Sequence, residues 1–503
     1  MIDHRNAQDT ARWLQTHGCQ RLRSDSRRVR AGDGFVAWSG AHVDARDFVI
    51  PAFEQGAQAA LVEAHDLSAT QTQHWPPEAV MAVPSLKTCA GDIAHHFYGQ
   101  PSDELAVVAI TGTNGKTSMA WWLAHALQSL GQACGVIGTL GVGPIESLQP
   151  TGLTTPQAVE LHDALAQMRD GRLRACAIEA SSIGLAEHRL QGLNVRVAAF
   201  TNLSQDHLDY HGDMAHYWAA KQRLFTWPGL QAAVIHLDDA HGEQLATQLQ
   251  AQTAAQDLAL WTFGRHEQAR LRLIASSAHA QGQHLEIAAE DSSDRHHLDT
   301  PFVGAYNAAN LLGVIACLCA LGHGLAQAVA ACQSLPAVPG RLQAVAPQPN
   351  RPWVVVDYAH TPDAIAQVLR ALQPLAQARQ GRLWCVVGCG GERDASKRAP
   401  MAAAAEQGAD RLILTSDNPR GEDPQAILDD MMTGLQSPAH AVCSDRAQAI
   451  AQAVASSHAH DVVLIAGKGH EDYQEVRGQR LPFSDHDVAL AALQAWRPLE
   501  AQA

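Results

Sequence analysis

A glycine-containing segment between an apolar run and a helical pattern has the residue types that hold phosphate. Residues 105–118 read LAVVAITGTNGKTS. Glycine lets backbone N–H groups approach a phosphate, and the start of a helix adds partial positive charge. Lys116 can reach terminal phosphates and Thr117 can ligate Mg²⁺. The segment therefore predicts a nucleotide site formed by Gly112, Thr113, Asn114, Gly115, Lys116, Thr117 and Ser118.

The spacing of this segment is shorter than the usual phosphate-loop pattern, because Gly112 precedes Gly115 by only three residues. The alternative is an ordinary strand-to-helix turn with a chance lysine. The complete order of strand, glycine loop, lysine, hydroxyl and helix favours the phosphate loop.

A carboxylate and an imidazole follow two further apolar runs. Glu179 comes after Ala175–Ile178, and His207 lies in a polar stretch after Val197–Phe200. Parallel strands place their carboxyl ends at one edge of a sheet, where ligands bind. Glu179 and His207 are therefore candidate Mg²⁺ ligands beside the nucleotide. Taken singly, each residue is better explained as a solvated polar side chain, and the case for a metal site depends on their combination with the phosphate loop.

Three polar loops follow apolar runs in the last third of the chain. They read GCGGERD from Gly388, DNPR from Asp417 and GKGHE from Gly467. The runs before them begin at Leu383, Leu412 and Val462. The same strand-end argument makes these loops candidates for a second substrate site.

These motifs need a parallel α/β framework. Short apolar runs at 105–110, 175–178, 197–200, 232–235, 353–356, 383–387, 412–414 and 462–465 predict buried strands. We expect helices at 116–130, 213–227 and 311–321, a turn at Gly32–Gly34, and a linker at the Pro336 and Pro339-Gly340 cluster.

Composition narrows the functional classes. The chain has 503 residues and a formal net charge of -15, which is unfavourable for binding nucleic acid. We expect neither a signal peptide nor a transmembrane segment, and a cytoplasmic location. The ten cysteines contain no CxxC pair and predict free thiols, with Cys385 and Cys389 at a strand-to-loop passage. Most of the 27 histidines are expected at the surface.

Together these segments resemble the Mur ligase family, and Thr111–Ser118 matches its TGTNGKT form. The resemblance runs from Asp25-Ser26-Arg27 to Phe483-Ser484-Asp485. It implies an α/β protein of three domains: a UDP-binding domain over 1–100, a central P-loop-type parallel-sheet ATPase domain over 101–338, and a C-terminal Rossmann-like domain over 339–503. It also implies a cytoplasmic ligase that uses ATP and Mg²⁺ in peptidoglycan synthesis; we expect it to be a monomer.

The resemblance assigns the remaining site residues. Those matching contacts to a UDP-linked muramoyl dipeptide are Ser24, Ser26, Ala41, His42, Val43, Thr154, Thr155, Ser181, Glu187 and Arg189. Glu187 stands where glutamine is common in the family. Further ATP contacts are implied at Asn307, Asn310, Arg341, Asp357 and His360. Lys221 matches a lysine that is carbamylated and assists a metal; from the residues alone, a solvated lysine on an apolar helix face is the simpler interpretation.

The last three loops then predict which amino acid is added. The resemblance implies meso-diaminopimelate binding by Arg393, Asp417, Asn418, Pro419, Arg420, Gly467 and Glu471. Arginine pairs bidentately with the far carboxylate of this amino acid, and a carboxylate such as Glu471 can receive its far ammonium. Alternatives are an Arg420 that merely caps a loop, a lysine-adding ligase, a folylpolyglutamate synthetase, or a nucleotide-dependent switch without a second substrate.

Overall fold

The computed structural model describes residues 6–40, 43–253, 258–290, 294–437 and 441–498. The chain forms two compact units, which we describe separately. The first comprises Met1–Arg272 with Leu312–Ala331, and the second comprises Leu273–Leu311 with Cys332–Ala503. Within the described ranges, none of the helices combines the length and apolarity that a membrane span requires.

The first unit begins with a four-stranded parallel sheet in sequential order. Its strands are β1 (Arg21–Arg23), β2 (Asp33–Ala37), β3 (Ala59–Glu63) and β4 (Val80–Val83), and its helices are α1 (Ala7–Thr16), α2 (Val49–Glu54), α3 (Ala69–Thr72), α4 (Leu86–Phe97) and α5 (Pro101–Glu104). Apolar cores cover both faces, which explains why β2 is buried throughout. The predicted turn at 32–34 is wrong in part, because Asp33 and Gly34 already belong to β2.

A larger sheet carries the phosphate loop. Its strands in this unit are β5 (Ala106–Thr111), β6 (Cys134–Gly138), β7 (Gly141–Pro144), β8 (Ala175–Glu179), β9 (Val197–Phe200), β10 (Ala232–His236) and β11 (Ala259–Gly264), ordered β11-β10-β9-β5-β8-β6-β7. All neighbouring pairs except β6–β7 are parallel. Because β5 lies between β8 and β9, the loops after these three strands start side by side.

The helices of this region are α6 (Lys116–Ser129), α7 (Ala158–Asp170), α8 (Ser182–Ala186), α9 (Leu208–His211), α10 (Met214–Gln222) and α11 (Ala240–Thr253). The predicted helix at 213–227 is shorter than expected, since α10 ends at Gln222 and a 3₁₀ turn covers Arg223–Thr226. The expectation of surface histidines fails at His162, which is completely buried on α7. Burial lowers the pKa of His162 to about 3.

Strand β12 (Leu271–His279) begins beside β11 and continues into the second unit, followed by the antiparallel hairpin of β13 (Gly282–Ala289) and β14 (His296–Thr300). The sequence patterns did not predict these three strands. The predicted core helix is confirmed within α12 (Ala305–Ala320), and α13 (Leu325–Ala331) follows.

The second unit contains a six-stranded sheet ordered β15-β16-β20-β17-β18-β19. Its strands are β15 (Gln343–Ala344), β16 (Trp353–Asp357), β17 (Leu383–Cys389), β18 (Arg411–Ser416), β19 (Ala441–Cys443) and β20 (Val462–Ala466); the separate pair β21 (Tyr473–Val476) and β22 (Gln479–Pro482) follows. All neighbouring strands from β16 to β19 are parallel. Cys385 and Cys389 both lie within β17, which corrects the predicted strand-to-loop position.

Helices cover both faces of this sheet. They are α14 (Pro362–Ala378), α15 (Arg398–Gly408), α16 (Pro424–Met432), α17 (Arg446–Ala455) and α18 (Asp485–Ala495). One apolar core includes residues of α14, α15 and α16, and the other includes residues of α17 and α18. This doubly wound arrangement confirms the predicted α/β class and the Rossmann-like character of the C-terminal region. The domain ranges 1–100, 101–338 and 339–503 stay a prediction.

Candidate active site

The phosphate loop is held in a shape that only glycine permits at two positions. Gly112 has φ +143°, and a Cβ there would lie 1.8 Å from Thr201 Oγ1. Gly115 has φ +88° and caps the start of α6. Lys116 opens the helix, and its Nζ donates to the carbonyl oxygens of Gly112 at 2.9 Å and Thr113 at 2.8 Å. The lysine charge is thus held over the loop where phosphate would bind.

Glu179 connects this loop to the neighbouring strand ends. Thr117 Oγ1 donates to Glu179 Oε2 at 2.9 Å, and the Thr139 backbone N–H donates to Oε1 at 2.8 Å. Glu179 is only 1% exposed. The Thr139 hydroxyl also lies 3.2 Å from that of Thr154. A single buried carboxylate therefore joins the phosphate loop to a residue predicted to bind the muramoyl dipeptide.

Three further residues predicted for the dipeptide lie together. The Thr155 hydroxyl donates to the Glu179 carbonyl at 2.7 Å and lies 2.9 Å from the Ser181 hydroxyl. Arg189 Nη1 donates to the Thr155 carbonyl at 3.0 Å. Its Nε is buried without a hydrogen-bond partner among the described residues, and burial lowers the pKa of Arg189. This guanidinium is suited to an incoming anion.

Lys221 lies in the interior beside the phosphate loop. Its exposed fraction is 1%, so the interpretation of a solvated surface ammonium is wrong. Its Nζ donates to the Gly112 carbonyl oxygen at 2.8 Å and lies 4.5 Å from the centre of the Tyr217 ring. Burial, reinforced by the charge of Lys116, lowers the pKa of Lys221 well below its usual value. The environment favours the neutral amine.

His207 has different neighbours from Glu179. It precedes α9 with φ +51°, and its side chain is 44% exposed. Its Nε2 lies 3.6 Å from Asp206 Oδ2, and its ring packs against that of Tyr217. The Tyr217 hydroxyl is 3.1 Å from Thr113 Oγ1, so His207 borders the phosphate loop through Tyr217.

Among the residues predicted to contact the UDP-linked muramoyl dipeptide, Ser24 and Ser26 follow β1, and Val43 follows β2. The Ser24 backbone N–H and hydroxyl both donate to Glu160 of α7, at 2.8 and 2.9 Å. Burial raises the pKa of Glu160, and the hydrogen bonds from Ser24 oppose that rise. Ser26 starts a 3₁₀ turn, and Val43 is 58% exposed. Ala41 and His42 lie outside the described residues.

In the second unit, three of the residues predicted for ATP, Arg341, Asp357 and His360, lie around the end of β16. The Asp357 carboxylate accepts from the backbone N–H groups of Leu342 and Ala359 at 2.7 and 2.8 Å. Burial raises the pKa of Asp357 although Arg341 opposes the shift. The Arg341 guanidinium lies over the Tyr358 ring, and the His360 ring meets that ring edge-on. Asn307 and Asn310 are buried on α12.

Polar loops also meet beyond β17, β18 and β20. Asn418 Nδ2 donates to Glu471 Oε2 at 2.9 Å, and Lys468 Nζ donates to the same oxygen at 2.9 Å. A Cβ at Gly467 would lie 2.5 Å from Asp417 Oδ2. Arg420 Nη1 donates to the Gly391 carbonyl at 2.7 Å, and its Nε lies 3.5 Å from Glu475. Pro419 is buried and Arg393 is exposed.

Comparisons with known proteins agree with this arrangement. Residues 110–318 match the model of the Mur ligase middle domain, and residues 340–469 match that of the Mur ligase glutamate ligase domain. The chain belongs to the Mur ligase family.

Two curated relatives of this Mur ligase and one solved structure share a name. The UDP-N-acetylmuramoyl-L-alanyl-D-glutamate–2,6-diaminopimelate ligase of Acidovorax sp. (strain JS42) is 50% identical over 496 residues, covering 97% of each chain. Its counterpart from Janthinobacterium sp. (strain Marseille) is 45% identical, covering 96% of each. A solved structure of an enzyme with this name matches with a TM-score of 0.70 and 34% identity over 95% of each chain.

Three site features of the Mur ligase were missed by the sequence patterns. Thr139 directly follows β6, a strand that was not predicted. Lys468 is completely buried although a lysine between glycines suggests a solvated loop. Arg446 forms a completely buried bidentate pair with Asp485 and donates to the carbonyls of Ser416 and Ala466, the last residues of β18 and β20.

The chemistry of the Thr117 and Glu179 oxygens fits a magnesium ion. Mg²⁺ prefers oxygen ligands and commonly uses one or two carboxylates together with substrate phosphates and water. Among the described residues, no cluster of three or more His, Cys, Asp or Glu side chains forms a ready-made metal cage. The hydroxyl and carboxylate beside the phosphate loop therefore suit an ion that arrives with the nucleotide.

Proposed function

We propose that this chain is an ATP-dependent ligase that adds meso-diaminopimelate to UDP-N-acetylmuramoyl-L-alanyl-D-glutamate in peptidoglycan synthesis. The observation that carries the proposal is the network through Glu179, which joins Thr117 of the phosphate loop to Thr139 and thence to Thr154. The names of relatives up to 50% identical over nearly the whole chain support the same substrates.

The first step activates the acceptor. The terminal carboxylate of the UDP-muramoyl dipeptide attacks the γ-phosphorus of ATP, ADP leaves, and an acyl phosphate forms. Lys116 offsets the negative charge on the transferring phosphoryl group, and the loop N–H groups orient it. Thr155, Ser181 and Arg189 hold the acceptor. Thr117 and Glu179 would hold Mg²⁺, which supplies further charge neutralisation when bound.

The second step forms the amide bond. The amine of diaminopimelate attacks the acyl carbon, loses a proton and expels inorganic phosphate. Positioning of the two substrates is the main contribution of the protein, since no nucleophilic side chain is needed. We assign the far end of diaminopimelate to Arg393, Arg420 and Glu471, with Asp417, Asn418, Pro419 and Gly467 shaping the loops. Asn307, Asn310, Arg341, Asp357 and His360 are assigned to ATP.

Lys221 is assigned as a carbamate. A carbamate forms when a neutral amine attacks CO₂ and releases a proton, and burial beside Lys116 favours that neutral form. The product is an anion, which attracts a cation that an ammonium would repel. His207 would assist at the same edge of the site.

The remaining assignments follow from the substrates. We place the enzyme in the cytoplasm, where ATP is available, and the ten free cysteines fit a reducing compartment. We expect a monomer. The alternative of a nucleotide switch does not account for the second set of strand-end loops, and a lysine-adding enzyme has no use for Arg420.

The decisive experiment is mass analysis of the product. The enzyme is incubated with UDP-muramoyl dipeptide, ATP and, separately, meso-diaminopimelate, lysine, glutamate or D-alanyl-D-alanine. We expect one major product, whose mass equals acceptor plus diaminopimelate minus water. Preferential addition of lysine or glutamate would replace the proposed substrate, and ATP hydrolysis without any new amide product would overturn the ligase assignment.

A further inference from the structure

The Glu187 carboxylate accepts hydrogen bonds from two separate helices of the first unit. Lys87 Nζ of α4 lies 2.6 Å from Glu187 Oε2. The hydroxyl of Tyr210, on α9, donates to the other oxygen, Oε1. Both carboxylate oxygens are therefore engaged by the protein itself. The sequence patterns assigned no role to Lys87 or Tyr210.

The helix that carries Lys87 packs directly on the segment after Glu187. A Cβ at Gly91 would lie 2.1 Å from the Gln191 carbonyl oxygen, and one at Gly192 would lie 2.7 Å from the Gly91 carbonyl oxygen. Lys87 is four residues before Gly91, so both project from the same side of α4. The close approach at Gly91 holds the lysine beside Glu187.

Glu187 also lies two residues before Arg189, which carries the opposite charge. Burial would raise the pKa of Glu187, but the hydrogen bonds from Lys87 and Tyr210 together with the charges of Lys87 and Arg189 lower it. The charge of Arg189 lowers the pKa of Glu187, and the charge of Glu187 opposes the lowering of the Arg189 pKa by burial. Yet Arg189 directs Nη1 to the Thr155 carbonyl, and its buried Nε has no hydrogen-bond partner among the described residues. Lys87 and Tyr210 therefore contact the Glu187 carboxylate directly, whereas Arg189 acts on it through charge while its hydrogen bond goes to Thr155.

We propose that Lys87 is a positioning residue of the acceptor site, which neutralises Glu187 so that Arg189 remains directed toward an anionic acceptor. Without Lys87, an unbalanced carboxylate would repel the acceptor and compete for the Arg189 guanidinium. Tyr210 contributes a neutral hydrogen bond that sets the direction of Glu187. The proposal rests on the proposed function in taking the acceptor as the UDP-muramoyl dipeptide.

The test compares Lys87→Met, which keeps an apolar stem, with Lys87→Arg, which keeps the charge. Steady-state assays vary the UDP-muramoyl dipeptide at saturating ATP, and then ATP at saturating acceptor. We expect Lys87→Met to raise KM for the acceptor about five- to ten-fold, as for the loss of one partly exposed charge interaction. KM for ATP and the thermal unfolding midpoint should change little. Lys87→Arg should stay within about two-fold of the wild type.

The double variant Lys87→Met/Glu187→Gln distinguishes a loss of charge balance from a structural effect of the Lys87 substitution. Removal of both charges should recover most of the acceptor affinity that Lys87→Met loses, because no uncompensated carboxylate remains. An unchanged acceptor KM in Lys87→Met, or no recovery in the double variant, would overturn the proposal. Failure of the wild-type enzyme to extend the UDP-muramoyl dipeptide is a different result, and it would overturn the proposed function instead.

Discussion

Two lysine amines share one backbone oxygen at the phosphate loop, but their surroundings differ. Both Nζ atoms donate to the Gly112 carbonyl, Lys116 at 2.9 Å and Lys221 at 2.8 Å. Lys116 is only partly buried, whereas Lys221 is 1% exposed. The partly exposed amine can serve phosphate as a cation, and the buried one is driven toward neutrality. The two lysines therefore suit the two different roles that we propose for them, although both contact the same loop carbonyl.

Substitution of Lys116 by alanine should abolish ligation while the protein stays folded. The lysine lies over the phosphate loop, and its charge would stabilise the transferring phosphoryl group. We expect kcat to fall at least about 100-fold. Lys116→Met, which retains the side-chain stem, should be equally inactive. Product formation is measured alongside circular dichroism, and near-normal turnover by a folded variant would remove Lys116 from the mechanism.

The activity lost when Lys221 is removed should be recovered only by a source of negative charge. Lys221→Ala is expected to lose most activity, with partial recovery when a short carboxylic acid such as acetate is added. Lys221→Arg should stay inactive with or without the acid, since it restores the wrong sign of charge. Activity is assayed over a series of acetate concentrations, with chloride at equal ionic strength as the control. Full activity in Lys221→Arg contradicts the carbamate.

Arg420 should determine use of diaminopimelate more than use of ATP. Its guanidinium donates to the Gly391 carbonyl of the loop after β17, and a guanidinium there could pair with a substrate carboxylate. Arg420→Ala should lower kcat/KM for meso-diaminopimelate at least about 100-fold, while KM for ATP changes little. Arg411→Ala, an exposed arginine at the opposite end of β18, is the control. Wild-type kcat/KM in Arg420→Ala would make the residue a structural loop contact.

At the scale of elements, one buried arginine ties together the strands that carry the proposed amino-acid site. Arg446 begins α17, pairs with Asp485 at the start of α18, and donates to the last residues of β18 and β20. The loops with Asp417 and Gly467 begin at the next residues. The shape of the proposed diaminopimelate site therefore depends on helices that contribute no side chain to it.

Substitution of Asp485 by asparagine should destabilise this part of the protein. Both partners of the pair are completely buried, so loss of the carboxylate leaves an uncompensated guanidinium in the interior. We expect a loss of about 3–5 kcal/mol in the free energy of unfolding. Asp487→Asn, two residues along the same helix and 79% exposed, should change it by less than about 0.5 kcal/mol. Denaturant unfolding of both variants measures the difference, and equal stabilities would contradict the argument.

At the scale of the whole molecule, sustained ATP turnover should require both of the other substrates, the UDP-muramoyl dipeptide and diaminopimelate. The network from Thr117 through Glu179 and Thr139 to Thr154 would connect the proposed nucleotide and dipeptide sites, and the second unit carries the separate loops proposed for the amino acid. We expect sustained phosphate release only when UDP-muramoyl dipeptide and meso-diaminopimelate are both present, at least about ten-fold above the rate with either alone. Phosphate release is followed for each omission. A rate of phosphate release that is the same without the UDP-muramoyl dipeptide and diaminopimelate would indicate a nucleotide switch.

Local sequence patterns were sufficient for the framework and for several site segments. The phosphate loop, the strands before Glu179 and His207, and the loops at Asp417 and Gly467 each combine a buried run with a polar turn, and neighbouring residues determine such features. The motifs were also sufficient to identify the resemblance to the Mur ligase family, because their residue types and spacing match that family in combination. The hairpin β13–β14 was not predicted, because buried residues alternate with more exposed ones along both strands and neither strand forms a continuous apolar run.

The tertiary structure decided what the side chains contact. Lys221 is 109 residues from Gly112, and Arg446 is 39 residues from Asp485, so neither contact leaves a signal in local periodicity. Burial also sets charge: Lys221 on a helix surface would be an ammonium in water, whereas the interior favours its neutral form. The sequence by itself determined the eight buried strands that it predicted in the two larger sheets, and the polar loops that follow them. Only chain folding could bring Glu179 to Thr117 and Thr139, and Lys87 to Glu187, because these pairings depend on strand order and helix packing across the first unit.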